Sequence, residues 1–128
     1  MDFRFGSKMK EFMAEKGLMN DADMVAFAGS AKNLVNPETQ AFALRQIEIS
    51  KTLHEMKVVH LMNHTDCGGY GGKAAFADEA AEYDELTGDL KEAKNVVLAK
   101  WPDLEVKLWL AHIKEDGHEA EISFEEIA

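Results

Sequence analysis

The spacing of hydrophobic positions predicts two helices in the first half of the chain. Between Ser7 and Lys16, apolar residues recur every three or four positions, and Ser7 can cap the first turn. Gly17 is the expected end of this helix. A second helix is predicted to begin at Asn36, with Pro37 in its first turn, and to run to about residue 56. One side of it presents Phe42, Ile49, Leu53 and Met56.

Four short apolar segments are typical of β-strands. They cover residues 23–27, 57–63, 104–113 and 120–124, and a turn at 115–117 separates the last two. The segment 57–63 is almost continuously apolar, as expected for a strand covered on both faces.

The second half of the chain adds two predicted helices, over residues 74–86 and 90–101, separated by Thr87-Gly88-Asp89. Strands and helices therefore alternate, which indicates an α/β fold with a parallel sheet flanked by helices, in a single domain over residues 1–128. Ligands in such sheets bind beyond the carboxyl ends of the strands.

Composition and charge narrow the functional classes. The 128 residues are 46% hydrophobic and 30% charged, and 24 Asp plus Glu against 14 Lys plus Arg give a formal net charge of -10. This balance disfavours nucleic-acid binding, which needs clustered basic residues. One cysteine excludes an internal disulfide framework, and no apolar stretch approaches the roughly 20 residues of a membrane span. Since no signal peptide is evident either, we expect a cytoplasmic protein without a membrane or nucleic-acid partner.

The run His64-Thr65-Asp66-Cys67-Gly68-Gly69 carries the most informative chemistry. It follows the apolar segment 57–63, so its side chains lie where a buried strand ends. His64 and Cys67 are residue types that bind tetrahedral zinc, although a catalytic zinc usually has three protein ligands. The nearby glycines allow the backbone to fold closely around such a site.

Asp2 and Arg4 form a second candidate pair. At alternate positions of an extended segment, both side chains point to the same side. A carboxylate held by a guanidinium can orient a metal-bound water.

Taken in order, Asp2-Phe3-Arg4, the small-residue turn at Ala28-Gly29 and the strand followed by His64-Thr65-Asp66-Cys67-Gly68 resemble the β-class carbonic anhydrases. The pattern of that family is Cys-x-Asp-x-Arg at the end of one strand and His-x-x-Cys-Gly at the end of a later one. The resemblance extends from residue 2 to about residue 113.

The resemblance implies a zinc enzyme that hydrates carbon dioxide to bicarbonate, with zinc hydroxide as the nucleophile. His64 and Cys67 would be zinc ligands, and Asp2, fixed by Arg4, would orient the hydroxide. Gly29 and Gly68 would lie against the substrate. The family also implies a homodimer with active sites at the subunit interface.

The sequence departs from this pattern in its first metal ligand. The family's first cysteine would precede Met1 by one position, and the strand that carries it is missing as well. We expect the recorded sequence to begin at an internal methionine, with the cysteine codon directly upstream. Two alternatives stay open: Asp2 takes the vacant zinc position, or the protein keeps the fold without catalysis.

Two other functions are compatible with the sequence. One is a zinc-binding but inactive scaffold or sensor of the same fold. The other is a nucleotide-binding module that uses the glycine loop 68–74, whose Gly69-Tyr70-Gly71-Gly72-Lys73-Ala74 fits a G-x-G-x-x-A pattern.

Overall fold

A three-stranded mixed sheet organises the computed structural model, which describes residues 1–116 and 119–128. Its strands, in spatial order, are β1 Val58–His64, β2 Glu105–Asp116 and β3 Glu119–Ile127. β1 and β2 are parallel, but β2 and β3 are antiparallel, so the prediction of a wholly parallel sheet is wrong. A parallel connection needs a crossover of a dozen or more residues, and β3 follows β2 too closely in sequence for one. The turn predicted at 115–117 includes Gly117, which lies outside the described residues.

Helices cover both faces of this sheet, which confirms the α/β class. The α-helices are α1 Gly6–Glu15, α2 Lys32–Val35, α3 Gln40–His54 and α4 Glu79–Lys100. α1 confirms the first predicted helix, but Ser7 does not cap it: Phe5 is the N-cap residue and makes no side-chain capping bond. The second predicted helix is divided into α2 and α3, because Asn36 between them is extended and its side chain accepts a hydrogen bond from the Glu38 N–H.

α4 runs without interruption through the predicted break at Thr87-Gly88-Asp89. Its buried side carries Leu86, Leu90, Ala93 and Val97, spaced as one face of a helix requires. Burying this apolar face stabilises the helix more than a single Gly88 destabilises it, because an interior glycine costs only about 0.5–1 kcal/mol relative to alanine.

The strand predicted at residues 23–27 is wrong, since this segment has no regular secondary structure. The Asp23 carboxylate instead accepts hydrogen bonds from Ser50 (2.7 Å) and His54 (2.6 Å), so the segment runs along α3 rather than within the sheet. Met24 and Val25 consequently stay exposed.

The core lies between α4 and one face of the sheet. Leu61 of β1 and Leu108 and Leu110 of β2 project into it. On the opposite face, Phe12 of α1 packs edge-on against Trp109, with ring centroids 5.0 Å apart. The central strand β2 is therefore buried on both sides.

The three strand segments predicted at 57–63, 104–113 and 120–124 correspond to β1, β2 and β3. Within the described residues β1 pairs only with β2, so its other edge is open. Among those same residues, no helix has the length and apolar character needed to cross a bilayer.

Candidate metal centre

The turn that follows β1 is fixed to the neighbouring strand. The register of the parallel pair places His64 beside Ala111. The Thr65 N–H donates to the Ala111 carbonyl (2.9 Å), and the Thr65 hydroxyl accepts from the Ile113 N–H (2.9 Å). The first residues of the turn 64–67 are thus held in place by the sheet. The turn lies at the carboxyl end of β1, where ligands are expected to bind.

His64 presents one ring nitrogen for binding. Its Nδ1 lies 2.8 Å from the Thr65 carbonyl oxygen, which can only accept, so Nδ1 carries the proton and Nε2 of the neutral ring has the free lone pair. Nε2 is buried and has no hydrogen-bond partner among the described residues. Phe5 covers the ring, with centroids 4.7 Å apart. In its neutral form the ring therefore has the tautomer that metal binding through Nε2 requires.

Cys67 lies in a cradle of backbone groups. Burial raises the pKa of its thiol, but His64 and the N–H groups of Gly69 and Gly29 outweigh this effect and bring the pKa down to about 7. Burial also lowers the pKa of His64, while contact with Cys67 and with the Thr65 carbonyl raises it above its ordinary value. A thiolate is therefore accessible at neutral pH, as metal ligation needs.

Gly69 and Gly29 bring two loops together behind the sulfur. A Cβ on Gly69 would lie 2.4 Å from the Gly29 nitrogen and 2.6 Å from its Cα, so only glycine fits there. Lys32 strengthens this contact by donating to the Gly69 carbonyl (3.1 Å). Asn63, which is 2% exposed, accepts from the Ala31 N–H (3.2 Å) and holds the Gly29 loop against β1.

Asp2 and Arg4 pair closely beside the histidine. Arg4 Nη2 donates to Asp2 Oδ2 (2.7 Å) and Nε donates to Asp2 Oδ1 (3.0 Å). The backbone is not extended as expected: Phe3–Phe5 form a 3-10 turn that Asp2 caps by accepting from the Arg4 N–H. The hydrogen bonds from Arg4 hold the pKa of the Asp2 carboxyl at about 2, so it is ionised at neutral pH.

Arg4 also contacts the motif that carries the candidate ligands. Nη1 donates to Asp66 Oδ2 (3.0 Å) and Nη2 donates to the Asp66 carbonyl (3.1 Å). The Asp66 N–H in turn donates to the buried Glu82 carboxylate (2.6 Å). The chain start and the His64–Cys67 turn are therefore one connected unit.

The residues present fit zinc in part. His64 and Cys67 supply a free lone pair and an accessible thiolate, and Asp2 Oδ2 lies 3.9 Å from His64 Nε2. Two ligands of one tetrahedral zinc, at bond lengths of about 2.0–2.1 Å, are roughly 3.4 Å apart. Asp2 is close to that separation but is directed at Arg4. Accordingly, in the part of the chain that the structure describes, no three His, Cys, Asp or Glu side chains are gathered as a metal-binding group.

The two predicted substrate-contacting glycines differ in placement. Gly29 lies against Gly69 and Cys67, whereas Gly68 is exposed and a Cβ there would meet nothing within 4 Å. Their contact with substrate stays a prediction.

The glycine loop is poorly suited to nucleotide phosphates. The helix predicted to begin near residue 74 begins at Glu79, after a separate 3-10 turn over Lys73–Ala75. The side chain of Asp78 already caps it, and Glu79 and Glu82 occupy its first turn. This acidic helix start would repel a phosphate.

Several contributors to the site were not predicted from the sequence. Glu82 and Lys32 have no recognisable spacing relative to the motif, because the fold brings them to it from different elements, and Asn63 was predicted only as the end of a strand. The acidic Asp66 within the motif was the one hint of a partner for Arg4.

Comparisons with known proteins identify the family of the chain. A family model described as "Putative carbonic anhydrase" matches residues 1–122. An uncharacterized protein of Rickettsia bellii is 30% identical over 118 residues, which cover 86% of this chain and 71% of that protein. Uncharacterized protein RC0076 of Rickettsia conorii is 26% identical over 116 residues, which cover 86% of this chain and 62% of that protein. No solved structure matches. The chain belongs to the family described as putative carbonic anhydrases.

Proposed function

We propose that this protein catalyses the zinc-dependent, reversible hydration of carbon dioxide to bicarbonate. The observation that carries the proposal is the buried, unpartnered Nε2 of His64 next to a thiol whose pKa is about 7. Membership of the carbonic anhydrase family supports the same chemistry. His64 and Cys67 would hold the metal, and bound zinc would supply a nucleophile by lowering the pKa of a water to about 7.

The remaining residues orient the reactants. Asp2 is ionised at neutral pH, so it can only accept a hydrogen bond from the reacting water. The bonds from Arg4 fix the direction of that acceptor and prevent the carboxylate from rotating freely. Phe5 shields the His64 ring from solvent and leaves an apolar wall, which suits an uncharged substrate such as carbon dioxide.

Two candidates for the third protein ligand stay open. The first is the cysteine that the family pattern places directly before Met1, which stays a prediction, and the second is Asp2 after release from Arg4. In-frame sequencing of the coding DNA upstream of Met1 tests the first alternative, and the absence of a cysteine codon at that position would contradict it.

Zinc analysis and a stopped-flow hydration assay test the function together. We expect about one zinc per chain, lost in Cys67→Ser, and a hydration rate well above that of buffer. Asp2→Asn should keep the metal and lower the rate about 10–100-fold if Asp2 orients the water, as removal of outer-shell partners does in metal sites, whereas it should release the metal if Asp2 is the third ligand. An unchanged rate in Asp2→Asn, or hydration no faster than buffer with zinc bound, contradicts the proposal.

The second candidate is a zinc-binding scaffold or sensor without catalysis. The close engagement of Asp2 by Arg4 favours it, because the described residues then leave only two ligands directed at one point. Zinc bound at one per chain without hydration would identify this alternative. We further propose, from the family resemblance, that the protein is a cytoplasmic homodimer.

A further inference from the structure

We propose that Asp66 is a positioning residue: with Glu82 behind it, Asp66 fixes the Arg4 guanidinium and thereby keeps the Asp2 carboxylate, which pairs with Arg4, beside Nε2 of His64. This inference deepens the proposed function and rests on it for its catalytic consequence. The placement of Arg4 itself can be measured without zinc.

Asp66 holds Arg4 at two points. Its Oδ2 accepts from Nη1 (3.0 Å) and its carbonyl accepts from Nη2 (3.1 Å), while Nε and Nη2 bond to Asp2. The guanidinium is a planar fork, so contacts on two edges determine its orientation. The contacts from Asp66 lie on Nη1 and Nη2, so they hold the guanidinium at a point that the bond from Nε to Asp2 does not reach. The direction of the carboxylate therefore depends on both aspartates.

The backbone of Asp66 is itself held in place. Its φ is +53°, in the left-handed region that few non-glycine residues adopt. The Glu82 carboxylate, which is 5% exposed, accepts from the Asp66 N–H at 2.6 Å. The Lys73 N–H donates to Asp66 Oδ1 (2.9 Å) and fixes the side chain from the other side. Asp66 thus links α4 to Arg4.

The anchoring of Arg4 by Asp66 affects the position of the Asp2 carboxylate. Its Oδ2 bonds to Arg4 at 2.7 Å and lies 3.9 Å from His64 Nε2, so a small rotation decides whether it accepts from a water or takes a ligand position. Anchoring Arg4 to the turn that contains Asp66 and Cys67 fixes this distance. The role of Asp66 is to hold the arrangement, not to touch the substrate.

The test uses the guanidinium Nη–H groups of the two arginines, Arg4 and Arg45, in ¹⁵N-labelled zinc-free protein. Arg45 is exposed and serves as an internal reference. We expect the Arg4 Nη1–H group, which donates to Asp66, to exchange slowly with solvent, and Asp66→Asn to accelerate this exchange about tenfold or more, since the charge-assisted hydrogen bond is weakened. Asparagine tolerates the left-handed backbone, so the fold should be retained.

Asp103→Asn is the matched control, because it makes the same change in an ion pair with Lys51. It should leave Arg4 exchange unchanged. In the zinc-loaded protein, Asp66→Asn should keep about one zinc per chain and lower hydration about 10–100-fold.

Unchanged Arg4 exchange in Asp66→Asn overturns the inference, whatever the hydration rate. Faster exchange with an unchanged hydration rate overturns the link from Arg4 to Asp2. Faster exchange in a protein whose wild type binds zinc without hydrating carbon dioxide supports the anchoring by Asp66 and overturns the proposed function instead.

Discussion

The contact between Gly69 and Gly29 gives the site its tightest local constraint. Two backbone segments from distant parts of the sequence meet where any side chain would separate them, and both direct N–H groups toward the Cys67 sulfur. The chemistry of the thiol therefore depends on residues that have no side chain. This kind of dependence can be tested by adding a single methyl group.

Gly69→Ala should destabilise the protein by about 1–3 kcal/mol, because the loops must move apart to accept the Cβ. Zinc affinity should fall as well, since the N–H groups then withdraw from Cys67. Urea unfolding and zinc titration measure the two effects. Gly68→Ala is the control, because its Cβ meets nothing within 4 Å. Equal stability of the two variants would show that the loops are not in contact.

The Asp2 carboxylate predicts a defined dependence of stability on pH. Its pKa in the folded protein is about 2, held down by the bonds from Arg4, against about 3.9 in the unfolded chain. A depressed pKa stabilises the fold at pH values above the unfolded pKa, and this stabilisation is lost as the pH falls to about 2.

Asp2→Asn should therefore reduce the free energy of unfolding at pH 7 by about 1–2 kcal/mol, and most of this difference should be lost by about pH 2. Urea unfolding of both proteins at a series of pH values measures it. Asp103→Asn, in an exposed ion pair, should have a smaller effect throughout. A difference that is constant from pH 7 to pH 2 would contradict the assignment.

At the residue scale, sequence motifs were informative only where chemistry is encoded locally. His64 and Cys67 lie in one short run, and Asp2 and Arg4 in another, so both pairs could be predicted. Glu82 could not, because its partner is the backbone N–H of Asp66, sixteen residues earlier. A hydrogen bond to a backbone group does not depend on the identity of the partner residue, so the sequence gives no sign of it.

At the scale of secondary-structure elements, α4 shows how packing overrides local propensity. Thr87-Gly88-Asp89 has the composition of a break, yet Leu86 and Leu90 on either side are fully buried. For the segment 23–27, local composition predicted a regular element that the structure lacks. The segment has a strand-like composition, but it pairs with no strand among the described residues. The boundaries of these elements are therefore determined by tertiary contacts, which local composition does not reveal.

Gly88→Ala should consequently stabilise the protein by about 0.5–1 kcal/mol, since the position is helical, exposed and free of neighbours within 4 Å. Thermal unfolding measures the rise in Tm. Gly17→Ala provides the contrast, because Gly17 also has open space but a φ of +69°, and alanine there should be destabilising. A fall in Tm for Gly88→Ala would mean that the helix does break at this point.

At the scale of the whole molecule, one group of exposed apolar side chains lies on α3 and the segment beside it, while Met1, Phe3, Met19 and Tyr83 are exposed outside these two elements. The group consists of Met24, Val25, Phe42, Ile49 and Leu53. The bonds from Ser50 and His54 to Asp23 and the proximity of the Phe27 and Phe42 rings (6.4 Å) hold the segment along the helix. Grouped apolar exposure of this kind is typical of an interaction surface.

We therefore expect the proposed homodimer to depend on this surface. Sedimentation velocity should give a dimer for the wild type and a shift toward monomer for Leu53→Glu, because a buried unpaired charge is strongly unfavourable at an interface. Met19→Glu changes an exposed apolar residue elsewhere and should leave the dimer intact. A monomeric wild type, or a dimer that survives Leu53→Glu, would exclude this surface as the interface.

The bonds that join Thr65 to Ala111 and Ile113 also determine when the candidate metal centre can open. Because both the backbone and the hydroxyl of Thr65 are engaged by the central strand, the turn cannot loosen while β2 stays in the sheet. Native-state hydrogen exchange should then show the Thr65 and Ile113 amides opening together. Their free energy of opening should equal that of the other β2 amides and exceed that of amides in surface loops. The strand end that carries His64 should therefore be displaced only as often as the sheet itself opens.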